Sequence, residues 1–145
     1  MTDFAEELKT RLKAVSDVTA IVGSGDNARI YHDMLRQGCA LPAIVIYESG
    51  GESYRHLTGF GGVVRSVWHV ISYGLTRNTA NTLAETIRVK ALNASYKGLF
   101  GATFVNGVNC SSHRMAGVDE ARDGHETPRY WCERVYDIFH VEDTT

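Results

Sequence analysis

The sequence predicts an α+β domain: a mainly antiparallel sheet packed by two principal helices, with a long glycine-rich arm. Three observations carry this. Val63 to Tyr73 and Arg129 to Val141 are long runs rich in β-branched and aromatic residues, which is strand composition. Between them, Ala80, Leu83, Ala84, Ile87 and Ala91 recur at helical spacing. The first fifteen residues carry a second helical stripe, and the order of helices and strands departs from the strict alternation of a parallel α/β sheet.

The elements follow in chain order. Phe4, Leu8, Leu12 and Val15 share one face between charged residues, the pattern of an amphipathic helix lying on a core. Ser16 is a candidate cap for a short second helix through Val22, with Gly23 and Gly25 ending it. ARIYH, residues 28 to 32, reads as a short strand. Pro42 opens PAIVIYE, a clear strand with the proline at the end where a missing N–H does least harm. From Glu48 to Gly62 five glycines mix with polar residues, which predicts a long flexible connection, about 49–62. Val63 to Tyr73 is partly apolar on both faces and so sits centrally in a sheet or is covered on both sides. Asn78 or Thr79 is a plausible N-cap for the helix that follows. Asn106-Gly107 predicts a type I′ hairpin turn, with a strand running on to about Met115. Arg129 to Val141 is the last strand. No linker or repeat divides the chain, so residues 1–145 are read as one domain.

Composition narrows the function. At 145 residues a single domain buries about two-thirds of its unfolded surface and needs no staple. The 43% hydrophobic and 22% charged residues are ordinary for a globular protein, and no apolar run reaches the roughly 20 residues of a membrane span. The N-terminal MTDFAEELKTRLK has no secretory apolar segment, which predicts synthesis and initial residence in a cytoplasm. A formal charge of −2 argues against affinity built on neutralising phosphates. Cys39, Cys110 and Cys132 are far apart and without C-x-x-C spacing, which favours buried free thiols over a zinc site.

The motifs that suggest chemistry mostly fail on their own requirements. TGFGGVV resembles a phosphate loop, but such a loop lies between a strand and a helix, whereas Gly59, Gly61 and Gly62 run into a strand. Asp119, Glu120, Asp123, His125 and Glu126 cluster in one segment. In an EF-hand frame starting at Asp119, Ala121 and Tyr130 fall where carboxylates are required, and a solvated turn at Asp123-Gly124 explains the cluster better. His69, among Val67, Trp68 and Val70, is placed as a structural histidine. Trp68, Tyr73, Tyr130, Trp131 and Tyr136 lack the basic surround of a base-stacking platform, which favours packing. No nucleophile elbow or metalloprotease motif is present. These residues therefore predict no enzyme, no metal and no cofactor.

The order of features is more informative. The N-terminal helix, ARIYHDMLRQGCALPAIVIYE, the glycine-containing arm, VVRSVWHVISYG, TRNTANTLAETIRVKAL and the closing YDIFHVE together resemble the tail completion, or tail terminator, proteins of long-tailed bacteriophages and related prophage elements. The resemblance spans about residues 4 to 142. It implies a structural virion protein that forms a ring, typically sixfold, on the end of the tail tube at the head–tail junction. The ring stops tube growth and presents a surface to the head connector, while DNA passes through its lumen without specific binding. The implied partners are further copies of this chain, the tail tube protein and a head completion or connector protein. Gly59, Gly61 and Gly62 are then expected to hinge an arm whose Tyr54, Arg55, His56, Leu57 and Phe60 contact a neighbour. The alternatives are a head-closure protein of the same joint, and a small-molecule-binding or hydrolytic domain in which the arm is a lid over His69 or His113.

Overall fold

The computed structural model describes residues 4–35, 39–56, 59–101, 103–119 and 128–141, with backbone pairing alone for 50–56, 59–63, 112–115, 119 and 141. Three helices, α1 (Phe4–Ala14), α2 (Ser16–Val22) and α3 (Arg77–Thr86), pack on a six-stranded sheet. The strands are β1 (Ile30–His32), β2 (Ala43–His56), β3 (Gly59–Gly74), β4 (Gly98–Phe100), β5 (Thr103–Asp119) and β6 (Arg129–Val141). Their spatial order is β1-β2-β3-β6-β5-β4, with β1 parallel to β2 and every other pair antiparallel. The expected α+β architecture is present, and β3 lies in the middle of the sheet.

One sheet face carries the core. Ile44 and Ile46 of β2, Trp68 and Val70 of β3, Tyr136 and Ile138 of β6, and Val105 and Val108 of β5 meet Leu8 and Leu12 of α1, Val18 and Val22 of α2, and Leu83 of α3. Each buried aliphatic or aromatic side chain in this layer contributes about 2 kcal/mol of transfer free energy. The expected stripe Ala80, Leu83, Ala84, Ile87 and Ala91 is buried throughout. Past Thr86 it continues as a wider, π-helical turn, Ile87–Ala91. Arg11 of α1 donates Nε–H to the Ala91 carbonyl at 3.0 Å and stacks its guanidinium 4.1 Å from the Tyr96 ring centroid. A helix-end carbonyl is thereby satisfied, and α1 is tied to the end of α3. At the other end of α1, Phe4 stacks on His140 at 3.9 Å, and His140 Nε2 shares a 2.8 Å hydrogen bond with Ser66 Oγ.

Several local expectations are corrected. Val15, extended at φ −95°, is the residue before α2, so Ser16 is its first helical residue rather than its cap. The cap of α3 is Thr76, whose Oγ1 accepts the Thr79 N–H at 3.1 Å, rather than Asn78 or Thr79. Asn106-Gly107 makes no hairpin. It sits at a register shift between Val105 and Gly107, and β5 runs past it to Asp119 beside β6. A turn there would forfeit the ladder to β6, so the extra residue is absorbed as a bulge. The reversal lies earlier, between β4 and β5, where Gly101 takes φ +58°. A Cβ there would also run into Glu7 Oε2, so the position accepts only glycine without rearrangement. Of the three cysteines expected to be buried, Cys132 alone is fully buried, and Cys39 and Cys110 are half-buried.

Candidate functional site

The predicted irregular connection from Glu48 to Gly62 is a β-hairpin instead. β2 and β3 pair from Ala43↔Tyr73 out to Tyr54↔Val63 and His56↔Gly59, with register shifts between Glu48 and Gly50 and between Tyr54 and His56. The glycines do not stop the strands, because pairing satisfies both backbones at once and the shifts absorb the mismatch. The arm is therefore present as a two-stranded extension. Tyr54, Arg55 and His56 lie at its outgoing end, and Gly59, Phe60, Gly61 and Gly62 at its return. Leu57 lies outside the described residues. Since the three glycines are strand residues followed by more strand, no helix N-terminus stands behind them to hold a phosphate.

The sheet face opposite the core carries the second candidate surface. Every helix side chain in the two buried clusters belongs to the other face, so this one has no helical layer among the described residues. Of its apolar members, Ala43 and Val45 are buried, and Val67, Ile71, Tyr73, Trp131, Val135 and Phe139 are half-buried. Two charged groups interrupt them. Arg65 Nη2 stands 3.0 Å from Asp137 Oδ1. Tyr47 donates its hydroxyl to Glu133 Oε1 at 3.1 Å, while the other carboxylate oxygen lies 3.4 Å from His69 Nδ1. Tyr47 and His69 stack at 4.4 Å. Burial and then the neighbouring Glu133 charge push the Tyr47 phenol above its usual range, so it stays a hydrogen-bond donor at neutral pH. His69 is thus packed into a sheet-face cluster by its stack on Tyr47, while its buried Nδ1 makes no hydrogen bond.

The enzymatic alternative finds little support in this geometry. Two open depressions are lined by described residues. One, of about 510 Å³, is lined by Asp17, Thr82, Glu85, Thr86, Val89 and Lys90 on α2, α3 and the turn after it. The other, of about 360 Å³, is lined by Arg77, Asn81, Ala116 and Gly117. Neither holds His69 or brings a nucleophile to a base. Among the described residues no three His, Cys, Asp or Glu side chains are grouped to hold a metal. The Glu120 to Glu126 part of the acidic cluster lies outside those residues. The five aromatics do not form one platform: Trp68 and Tyr136 are in the core, Tyr130 packs beside Cys132, and Tyr73 and Trp131 are on the uncovered face. No described helix is long and apolar enough to cross a membrane.

The described residues present an uncovered sheet face and an extended hairpin. The family model described as Tail completion protein gp17 matches residues 6–124. The chain belongs to this family. Its role is accordingly structural, in phage tails. No curated protein matches the chain. Among solved structures, one chain of a structure described as "Virion of native gene transfer agent (GTA) particle" is similar in fold, with a TM-score of 0.52 and 18% identity over 93% of each chain.

The sequence pattern predicts a flexible connection where the chain forms a hairpin, and it does not reveal the Tyr47–His69–Glu133 and Arg65–Asp137 groups. Their signal is charge at alternate positions, Glu133 and Asp137 on β6 and Arg65 and His69 on β3. Alternation shows that they share a face and leaves open which charge reaches which.

Proposed function

We propose that this tail completion protein closes into a ring, most simply a hexamer, on the last ring of a tail tube. There it halts tube growth and offers its free face to the head completion or connector protein. Membership of the tail completion family carries this reading. Capping needs one ring face that complements the tube and another that does not recruit a further tube subunit. A closed ring needs two different patches on each subunit, and the hairpin arm with the uncovered sheet face supplies candidates. The reading puts the protein in the virion at the head–tail junction, after assembly in the host cytoplasm. A formal charge of −2 suits a lumen through which DNA slides without being held.

The test is native mass spectrometry over a concentration series with negative-stain imaging, repeated in the presence of purified tail tubes. Closed rings, alone or on tube ends, are the expected result. A chain that stays monomeric and leaves tube ends bare overturns the reading.

A further inference from the structure

The two outer strands of the sheet are each three residues long and cover only one corner of their neighbours. β1 pairs with Ile44 to Ile46 of β2. β4 pairs with Thr103 to Val105 of β5. Among the described residues, no strand lies along the outer edge of β2 from Tyr47 to His56 or of β5 from Asn106 to Asp119. β2 is antiparallel to β3, β3 to β6 and β6 to β5, so β5 runs opposite to β2. One end of the sheet carries Ala43, Gly74, Arg129 and Asp119, and the other His56, Gly59, Val141 and Thr103. The open run on β2 lies toward the second end and the open run on β5 toward the first. Each sheet edge is therefore a step, and the two steps are complementary.

We propose that successive copies of this chain join by antiparallel pairing of the open edge of β2, 47–56, with the open edge of β5, 106–119, of the next copy. A neighbour that keeps the same strand direction presents β5 antiparallel to β2, the sense this sheet uses for four of its five pairs. Sliding it along the strands sets β1 below the end of the incoming β5 and that copy's β4 beyond the end of β2, so the short strands fix the stagger. Strand tilt accommodates such a stagger in a closed ring, as it does in a barrel. The patches differ, so the contact is head-to-tail and leads to a ring instead of a two-fold dimer.

Residue types along the edges support the joint. Gly50 and Gly51 sit in β2 next to a register shift, and strand glycines mark places where another backbone approaches. A Cβ at Gly107 would meet nothing within 4 Å in its own chain, so intrachain packing gives no reason for that glycine. Asn106, Asn109, Ser111, Ala116 and Val118 are exposed on β5. The register shifts of β5 fall between Val105 and Met115. Met115 to Asp119 is regular, and pairing begins there. This inference rests on the ring reading and specifies its subunit contact.

The test separates the two. In a background with Cys39→Ser and Cys110→Ser, Glu52→Cys or Ser53→Cys is combined with Ala116→Cys or Val118→Cys and oxidised, alone and on tube ends. At least one combination is expected to give a ladder of covalent oligomers, while the single-cysteine variants stop at dimers. Hydrogen exchange on the unsubstituted protein supplies a readout free of mutation: amides in 47–56 and 106–119 should slow together on assembly, by about tenfold or more. Rings that form without edge cross-links or added protection overturn the edge pairing and leave the ring reading standing. Absence of rings, cross-links and tube binding overturns both.

Discussion

Glu85 on α3 and Arg134 on β6 face each other across the seam between helix and sheet, carboxylate Oε2 to guanidinium Nη1 at 2.7 Å. Arg134 is buried, while Glu85 is half-exposed and also accepts from Arg88 Nε at 3.1 Å. Removing the carboxylate leaves a buried cation without its partner, the costly direction in which to break a pair. Because water reaches Glu85, the loss for Glu85→Gln is expected at about 1–2 kcal/mol, below that of a fully buried pair. Urea unfolding at neutral pH measures it.

The same pair sets an acid limit. Hydrogen bonds from Arg88 and then Arg134 hold the Glu85 carboxyl at about 2, against an ordinary value of 4.5. A depressed folded-state value means that the stabilisation is fully present above about pH 4.5. It is lost as the pH falls toward 2. The stability gap between the wild type and Glu85→Gln should therefore be constant from neutral pH down to about 5 and then shrink as acid protonates the carboxylate. A gap that widens on acidification contradicts the assignment.

At the start of α3, Thr76 Oγ1 accepts the Thr79 N–H and lies 2.8 Å from Thr79 Oγ1. Thr76→Ala is expected to cost about 1 kcal/mol, and Thr76→Ser to retain most of the cap. Asn78→Ala, at the position the sequence pattern favours, should stay within about 0.5 kcal/mol of wild type. Thermal melts of the three variants distinguish the cap from its neighbours.

Two glycines make a matched pair. Gly101 combines a positive φ with contact on Glu7, whereas Gly107 has open space around its Cα and no positive φ. Gly101→Ala should lose about 1–3 kcal/mol, while Gly107→Ala should leave the stability of the isolated chain within about 0.5 kcal/mol. If assembly weakens in Gly107→Ala without a change in melting, the glycine serves a neighbour instead of its own fold.

Periodic apolar burial was legible in the sequence. The stripes of α1 and α3 and the bounds of β6 follow from spacing alone, because a buried face imposes its period on residue type. What spacing leaves undetermined is which strand pairs with which. Gly50, Gly51, Gly59, Gly61 and Gly62 carry weak strand preference, and the partner strand supplies the missing drive. Asn106-Gly107 has the residues of a turn in a place where continuing along β6 retains more hydrogen bonds. The three-residue β4 is too short for a periodic signal, so the stepped edges emerge only from the topology.

Tyr54 and Phe60 lie on the two strands of the hairpin near its reversal, with Leu57 between them in the chain. Large apolar residues near the end of a hairpin are candidates for anchoring a neighbour. If they anchor the ring or the tube, replacing all three with serine should leave urea stability within about 1 kcal/mol of wild type. Sedimentation and tube pull-down should then show at least a tenfold loss of association, since each buried aromatic or leucine anchor contributes 1 kcal/mol or more at an interface. Because the edge strands are untouched, residual rings that no longer bind tubes would assign the arm to the tube contact, and loss of rings in solution would assign it to the neighbouring subunit. Unchanged ring formation and unchanged tube binding would remove the arm from the assembly mechanism altogether.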